Sequence, residues 1–377
     1  MRAALVALLV AVLPAACGNA PLSSPLVSAP AGGAGGASSG AAGVTGSAGG
    51  SSVSTGGSGG TVTPGVGTPR VEAFTGPFDT PRGIAVEDAS TAWVTDMTRS
   101  LVRLDLTTHE ASAPRWSAPV EMTVFPPSGV LIWKGTIYTT QGCSFQKFIP
   151  ATATVDFLMG GGPGGCGGMN VAPGLYGLAT DGTTLYWNYP DFINMAILSH
   201  EMWSIEMSFS YKVVAGDFDY VSGAGAQDGV GPAAKMNAPR GLALDGAGGL
   251  FFADELNHAI RRVDLSNGET RTFAGALREP GAQDGPLAAA RFDKPEGLAF
   301  DGRDSLYVAD HDNGLVRVVS LAAGTVSTVA GVAGNFAVAA GQTPAPIGHP
   351  TGLALTPAGD VLVSSDSEGA VLIVHLP

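Results

Sequence analysis

Two stretches of this sequence align end to end without a gap: "NAPRGLALDGAGGLFFADELNHAIRRVDLSNGETRTFAG" (Asn237–Gly275) and "DKPEGLAFDGRDSLYVADHDNGLVRVVSLAAGTVSTVAG" (Asp293–Gly331). Self-similarity at a fixed period is the signature of a repeat architecture, so it is read before any single strand. Each stretch divides into four short apolar or alternating segments, at Gly241–Asp245, Leu250–Asp254, Ala259–Leu265 and Glu269–Ala274 in the first copy. The breaks between them, "DGAGG", "ELNH" and "SNG", carry turn chemistry, which makes each segment a strand.

Fainter copies are placed by the Pro-x-Gly that opens each unit. "TPRGIAV" begins one at Pro81, Leu175-Tyr176-Gly177 stands in for the motif in another, and "HPTGLAL" begins a third at Pro350. A sixth copy, "APVEMTVF", has Glu121 in the glycine position and Val120 before it. The landmarks Gly83, Glu121, Gly177, Gly241, Gly297 and Gly352 then lie 38, 56, 64, 56 and 55 residues apart, which indicates six four-stranded units. The last copy stops at "AVLIVHLP" after its third strand, while "RVEAFTG" (Arg70–Gly76) precedes the first copy with no unit of its own. In a ring, that N-terminal strand completes the last unit and no sheet edge stays open. The expected fold is therefore all-β: a six-bladed β-propeller of four-stranded antiparallel blades, closed by residues 70–76.

The motif "NHAIRRVD" after "FFAD", with "PRGLALD" before it, resembles the NHL repeat, whose copies build six-bladed propellers. The resemblance covers residues 70–377 and is fullest in the fourth and fifth copies. Only the fourth keeps the Asn257-His258 pair; the fifth has Asn313-Gly314.

Ahead of the repeats, residues 1–16 hold one basic residue, Arg2, then the apolar run "AALVALLVAVL" and small residues, the layout of a secretory signal peptide. That run is too short to span a bilayer. "LPAAC" resembles the lipobox of bacterial lipoproteins, with Pro14 where the motif prefers Leu, and implies a lipid on Cys17. Residues 17–69 are almost entirely Gly, Ala, Ser, Thr, Val and Pro, too little to bury against the entropy of ordering. They read as a disordered tether with a reach of roughly 40 Å. The expected location is the bacterial cell envelope, anchored through Cys17 on the periplasmic side or the cell surface; cleavage without lipidation would secrete the chain instead. The membrane is then a partner only through that lipid.

A net charge of −13 with no basic run argues against a nucleic-acid partner. Two further cysteines, Cys143 and Cys166, are expected to form a disulfide in an exported chain, with two free thiols as the alternative.

In a propeller the first strand of each unit lines the central channel, and the joins between units share one face with the loops between second and third strands. Here the joins are long, as in "DFDYVSGAGAQDGVGPAAKM" and "ALREPGAQDGPLAAARFDK", so function is expected on that long-loop face. At its centre stand the middle residues of each Pro-x-Gly: Arg82, Val120, Tyr176, Arg240, Glu296 and Thr351. Arg82, Arg240, Tyr176 and Glu296 converging on one axis could hold a carboxylate or sugar-like ligand, or the arginines and Glu296 could simply pair at the rim. Asp310 and Asp312 of "DHDNG" (Asp310–Gly314) are further candidate ligand contacts, because the loop has the oxygen density of a calcium site. It lacks the bidentate Glu of such a site. Moreover Asp96, Asp254 and Asp310 recur at one scaffold position, which favours a structural role as acceptors of backbone N–H groups in the following turn.

"SHEMWS" offers His200-Glu201 without a second histidine four residues on, the six histidines show no ligand spacing, and no G-x-S-x-G occurs. No catalytic residue, resident metal or cofactor is expected; a divalent cation is the one alternative left open. The function expected is non-catalytic binding of a protein, peptide or glycan at the long-loop face. Its competitor is a metal-dependent lactonase, hydrolase or lyase of the propeller type, which needs several carboxylates, amides or histidines at the channel mouth. Glu296 beside two arginines is a poor start for one. Finally, "GAQDG" recurs at Gly225–Gly229 and Gly281–Gly285, one repeat period apart, and is therefore architecture first.

Overall fold

The computed structural model describes residues 69–115, 127–141, 144–159, 176–189, 192–197, 212–216 and 224–377. Cys17, Val120, Glu121, Cys143 and Cys166 lie outside the described residues, so the lipid, the disulfide and the first placement of the second unit's landmark are expectations about positions not described.

The chain begins with strand β1 (Arg70–Ala73) and continues into sheet 1, with β2 (Pro81–Val86), β3 (Thr91–Asp96), β4 (Ser100–Asp105) and β5 (Glu110–Ser112). Sheet 2 holds β6 (Pro127–Trp133), β7 (Thr136–Gln141), β8 (Ser144–Ile149) and β9 (Thr154–Met159). Sheet 3 holds β10 (Leu178–Thr180), β11 (Thr184–Tyr189), β12 (Phe192–Ile197) and β13 (Lys212–Gly216). The short strand β14 (Gly229–Val230) then leads into sheet 4, with β15 (Pro239–Leu244), β16 (Gly249–Asp254), β17 (Ala259–Asp264) and β18 (Glu269–Gly275). Likewise β19 (Gly285–Pro286) precedes sheet 5, with β20 (Pro295–Phe300), β21 (Ser305–Asp310), β22 (Leu315–Ser320) and β23 (Thr325–Gly331). Last come β24 (Gly341–Gln342) and sheet 6, with β25 (Pro350–Leu355), β26 (Val361–Ser365) and β27 (Ala370–His375).

All pairings between these strands are antiparallel, and the four strands read in Asn237–Gly275 occupy the expected places to within two residues. The N-terminal strand pairs with the C-terminal one: Arg70 faces His375, and Ala73 faces Leu372. It is shorter than the expected 70–76, because Thr75 leaves the sheet to form an isolated parallel bridge with Glu110 of sheet 1. The innermost strands β2, β6, β10, β15, β20 and β25 each contact the next in chain order, and β25 contacts β2, so the arrangement closes on itself. The fold is an all-β propeller.

Two sequence expectations need correction. Sheets 4, 5 and 6 have five strands each, because the join entering each one runs along its outer edge and adds β14, β19 or β24. The landmark of the second unit is Gly129 in "PPSGV", and Ser128 takes the place given to Val120. Gly129 shows the same signature as the other landmarks: its N–H donates to Thr140 Oγ1 at 2.8 Å, as Gly83 N–H does to Thr95 Oγ1 and Gly352 N–H to Ser364 Oγ, both also at 2.8 Å. The glycines are needed because the inner strands approach at the backbone. A Cβ on Gly129 would lie 2.6 Å from the Tyr176 carbonyl oxygen, and Gly177, Gly241, Gly297 and Gly352 meet the carbonyls of Arg240, Glu296, Thr351 and Arg82 just as closely.

Side chains from facing sheets fill the space between them. Phe251, Phe252, Phe292, Phe300, Leu242 and Leu298 form one buried cluster spanning sheets 4 and 5. At roughly 25 cal/mol per Å² of apolar surface, each such aromatic contributes about 2–3 kcal/mol, against the entropy of ordering it.

Candidate functional site

The repeated "GAQDG" is anchored from inside the blade. Arg261 of β17 is fully buried; its Nη1 donates to Asp254 Oδ2 at 2.7 Å and to the Lys235 carbonyl at 2.6 Å. Its Nη2 donates to the Gln227 carbonyl at 2.7 Å and to Asp228 Oδ1 at 3.0 Å. Arg317 repeats this in the next blade with Asp310, the carbonyls of Arg291 and Gln283, and Asp284. Asn257 and Asn313 then hold the carbonyls of Gly225 and Gly281 at 2.6 and 2.7 Å. A motif whose Gly, Gln and Asp all serve as acceptors for one blade's Asn and Arg is a structural latch.

Asp310, expected as a ligand contact, belongs to that latch. It is fully buried, and its oxygens accept from the Asp293 backbone N–H at 2.7 Å and from Asn313 and Arg317 at 2.8 Å each. Burial pushes its carboxyl up to about 6, a rise that the Arg317 guanidinium limits. Asp254 is shifted upward for the same reason, with Arg261 opposing. Asp96 accepts the N–H of Thr98 in the turn that follows at 3.1 Å, as expected, but also those of Asp79 and Thr80 ahead of β2 at 2.8 and 3.2 Å, which the expectation did not include.

Arg82, Ser128, Tyr176, Arg240, Glu296 and Thr351 do converge: with the neighbouring glycines they line one depression at the mouth of the central channel, about 300 Å³ counting its open end. Arg82 donates to Asp366 Oδ2 at 2.8 Å. Arg240 pairs through Nε with Glu255 and lies 3.8 Å above the Tyr176 ring, a cation–π contact. Burial alone would lower the Arg240 pKa, but the carboxylates of Glu296 and Glu255 more than offset it and raise it. Thr351 is buried, and its hydroxyl donates to the His349 carbonyl at 3.3 Å. Glu296 is only 7% exposed and lines the depression, where its charge raises the pKa of Arg240 and of His311.

Three rim residues escaped the sequence reading: Glu255, His311 and Asp366. Each stands directly after the last residue of a second strand, following Asp254, Asp310 and Ser365, so the signal was the position one past the recurrent aspartate. His311 donates to Asp312 Oδ1 at 2.6 Å and has Asp366 Oδ1 at 3.6 Å from Nε2. Burial pulls its pKa down, but Asp366, Glu296 and Asp312 together push it up to about 9. Asp366 moves the other way: burial raises it, and His311 and Arg82 more than reverse this, bringing it down to about 2. Asp312, the second predicted loop contact, is tied to Lys294 at 2.5 Å. Around the mouth, cations Arg82, Arg240 and His311 therefore alternate with anions Asp366, Glu255 and Glu296. Beyond His311, His349 stacks on Phe336 with 4.0 Å between ring centres.

No family model matches the chain. Over 141 residues, 34% of its length, it is 33% identical to NHL repeat-containing protein 2 of Bos taurus. Over 105 residues, 28% of its length, it is 32% identical to Protein SUPPRESSOR OF QUENCHING 1, chloroplastic, of Arabidopsis thaliana. These matches span 19% and 10% of the two relatives, so the chain corresponds to a fifth or less of their length. Among solved structures, a protein of unknown function from Bacteroides thetaiotaomicron superposes with a TM-score of 0.62 at 13% identity, covering 82% of this chain and 76% of that one. An auxiliary nutrient binding protein from the same organism gives 0.55 at 11% identity, with coverage of 81% and 76%. Streptogramin B lyase gives 0.50 at 12% identity, with coverage of 82% and 98%. At such identities the superpositions speak to the fold alone. The chain is a β-propeller whose repeats are similar to those of NHL repeat-containing proteins.

Proposed function

We propose that this chain is a tethered, non-catalytic binding module: a six-bladed propeller, one blade per sheet, closed by β1, that offers its channel mouth to a peptide, glycan or protein loop. The observation that carries the reading is Glu296. Its carboxylate lines the depression beside Arg240 and His311, where an incoming N–H or O–H donor would make a charge-assisted hydrogen bond. Tyr176, held flat against Arg240, adds an aromatic surface beside it. Alternating charges around the rim favour a polar ligand with both donors and acceptors over a simple anion. Met97 and Leu256, two exposed apolar side chains in loops after second strands of the same face, extend the contact surface outward.

A metal-dependent enzyme would need several free ligands at this mouth, whereas Asp366 and Glu255 are each taken by an arginine. Lipid attachment at Cys17, followed by the Gly/Ala/Ser-rich segment 17–69, would hold the propeller off an envelope membrane; a disulfide between Cys143 and Cys166 would stiffen the same face. The test is to probe a glycan array and a displayed peptide library with the full chain. Hits retained by the wild-type protein and lost by Glu296→Gln support the reading. An empty screen, or hits indifferent to that change, counts against it.

A further inference from the structure

The opposite face, formed by the short turns, carries a second constellation. Glu72 lies on β1, His375 ends β27, and His109 stands in the turn between β4 and β5. One ligand atom from each lies within 4.8 Å of the other two. Glu72 Oε2 is 3.0 Å from His109 Nδ1 and 3.6 Å from His375 Nε2. Ligands bonded to zinc at about 2.0–2.1 Å in a tetrahedron stand about 3.4 Å apart, and the two observed separations straddle that value.

The hydrogen-bond pattern at His375 gives the physical reason for a cation. Its Nδ1 lies 3.0 Å from Asp360 Oδ2, so Nδ1–H donates there and the carboxylate fixes the tautomer. Nε2 is buried and without a hydrogen-bond partner, and it faces a Glu72 oxygen 3.6 Å away. In the neutral ring with Nδ1–H on Asp360, Nε2 presents its lone pair to that oxygen, and acceptor faces acceptor across a gap that a positive charge would fill. A carboxylate behind a histidine is also the usual second shell of a metal-bound imidazole. Arg70 Nη1 holds the other Glu72 oxygen at 2.6 Å, orienting the carboxylate while leaving Oε2 to the histidines.

We propose that Glu72, His109 and His375 form a zinc-class divalent metal site, with one position left for solvent, that ties the first and last strands of the chain to sheet 1. The imidazole and carboxylate donors suit zinc and its transition-metal neighbours rather than calcium. The three ligands are far apart in sequence and come together only because β1 crosses to the last sheet, so histidine spacing could not show them.

The probe is Co²⁺, titrated into the chelator-treated full chain and followed by visible absorption, with Zn²⁺ as competitor. The expected result is tetrahedral d–d bands that saturate at one equivalent and disappear on adding Zn²⁺. His109→Asn suits the left-handed backbone at that residue (φ 57°), so the fold is kept while the bands are lost. Asp360→Asn keeps the bands but weakens affinity about 10–100-fold. Absence of bands in the wild-type chain overturns the proposal, leaving a proton in the gap; bands that survive His109→Asn overturn it as well.

Discussion

Arg261 Nη1 lies 2.7 Å from Asp254 Oδ2, and both side chains are wholly buried. Taking two charges out of water is costly, so such a pair persists only where further hydrogen bonds offset that cost. Here the Lys235 and Gln227 carbonyls and Asp228 engage the two terminal nitrogens, while Nε is buried without a hydrogen-bond partner. Arg261→Ala leaves Asp254 charged and unpaired, and is expected to cost about 3–5 kcal/mol. Asp228 is half-exposed, so Asp228→Ala is expected to cost about 1 kcal/mol. Denaturant midpoints of the two variants check this ordering; equal midpoints would show that the latch is not what stabilises the join.

The ring glycines give a contrast between contact and conformation. Gly241→Ala would drive a methyl into the Glu296 carbonyl and is expected to cost about 1–3 kcal/mol, with disturbance at the channel mouth. Gly246, in a turn at φ 70° with open space around it, meets only backbone strain, about 1 kcal/mol for Ala. Thermal unfolding of both variants separates the two effects.

His311 sets an alkaline limit. Its folded pKa, about 9, is above its ordinary value of 6.5, so its contribution to stability is complete below about pH 6.5 and is lost as pH rises through 9. Up to about 3 kcal/mol is at stake on the linkage scale of 1.36 kcal/mol per unit. Asp366, held near 2, contributes above its ordinary 3.8 and loses that contribution only as pH falls through 2. Stability measured from pH 6 to 10 should therefore decline in the wild-type chain and stay flatter in His311→Gln.

Much of the fold was legible because sheets 4 and 5 keep the repeat without gaps, and because a missing fourth strand at one end matched an orphan strand at the other. The second unit was misplaced because it keeps little of the repeat, so the spacing drew attention to Glu121 while Pro127-Ser128-Gly129 held the true landmark. The x residues of the Pro-x-Gly motif reach one mouth as expected, since strand order alone fixes that position. Their partners Glu255, His311 and Asp366 were missed because position, not residue type, unites them. Asp310 looked like a ligand by its oxygen-rich neighbours, but the buried Arg317 one strand away claims it. In sheet 6 the pattern is exchanged: Ser365 replaces the aspartate, and Glu368 accepts from its hydroxyl at 2.6 Å and from the His349 N–H at 2.9 Å.

The channel mouth is proposed to bind a ligand through Glu296. The most direct measurement is calorimetric titration of the strongest array or library hit into wild-type, Glu296→Gln and Asp312→Asn chains. Glu296→Gln is expected to weaken binding at least about tenfold, one charged hydrogen bond being worth about 1.5–3 kcal/mol, while Asp312→Asn leaves it nearly unchanged. Equal affinities for wild type and Glu296→Gln would contradict it.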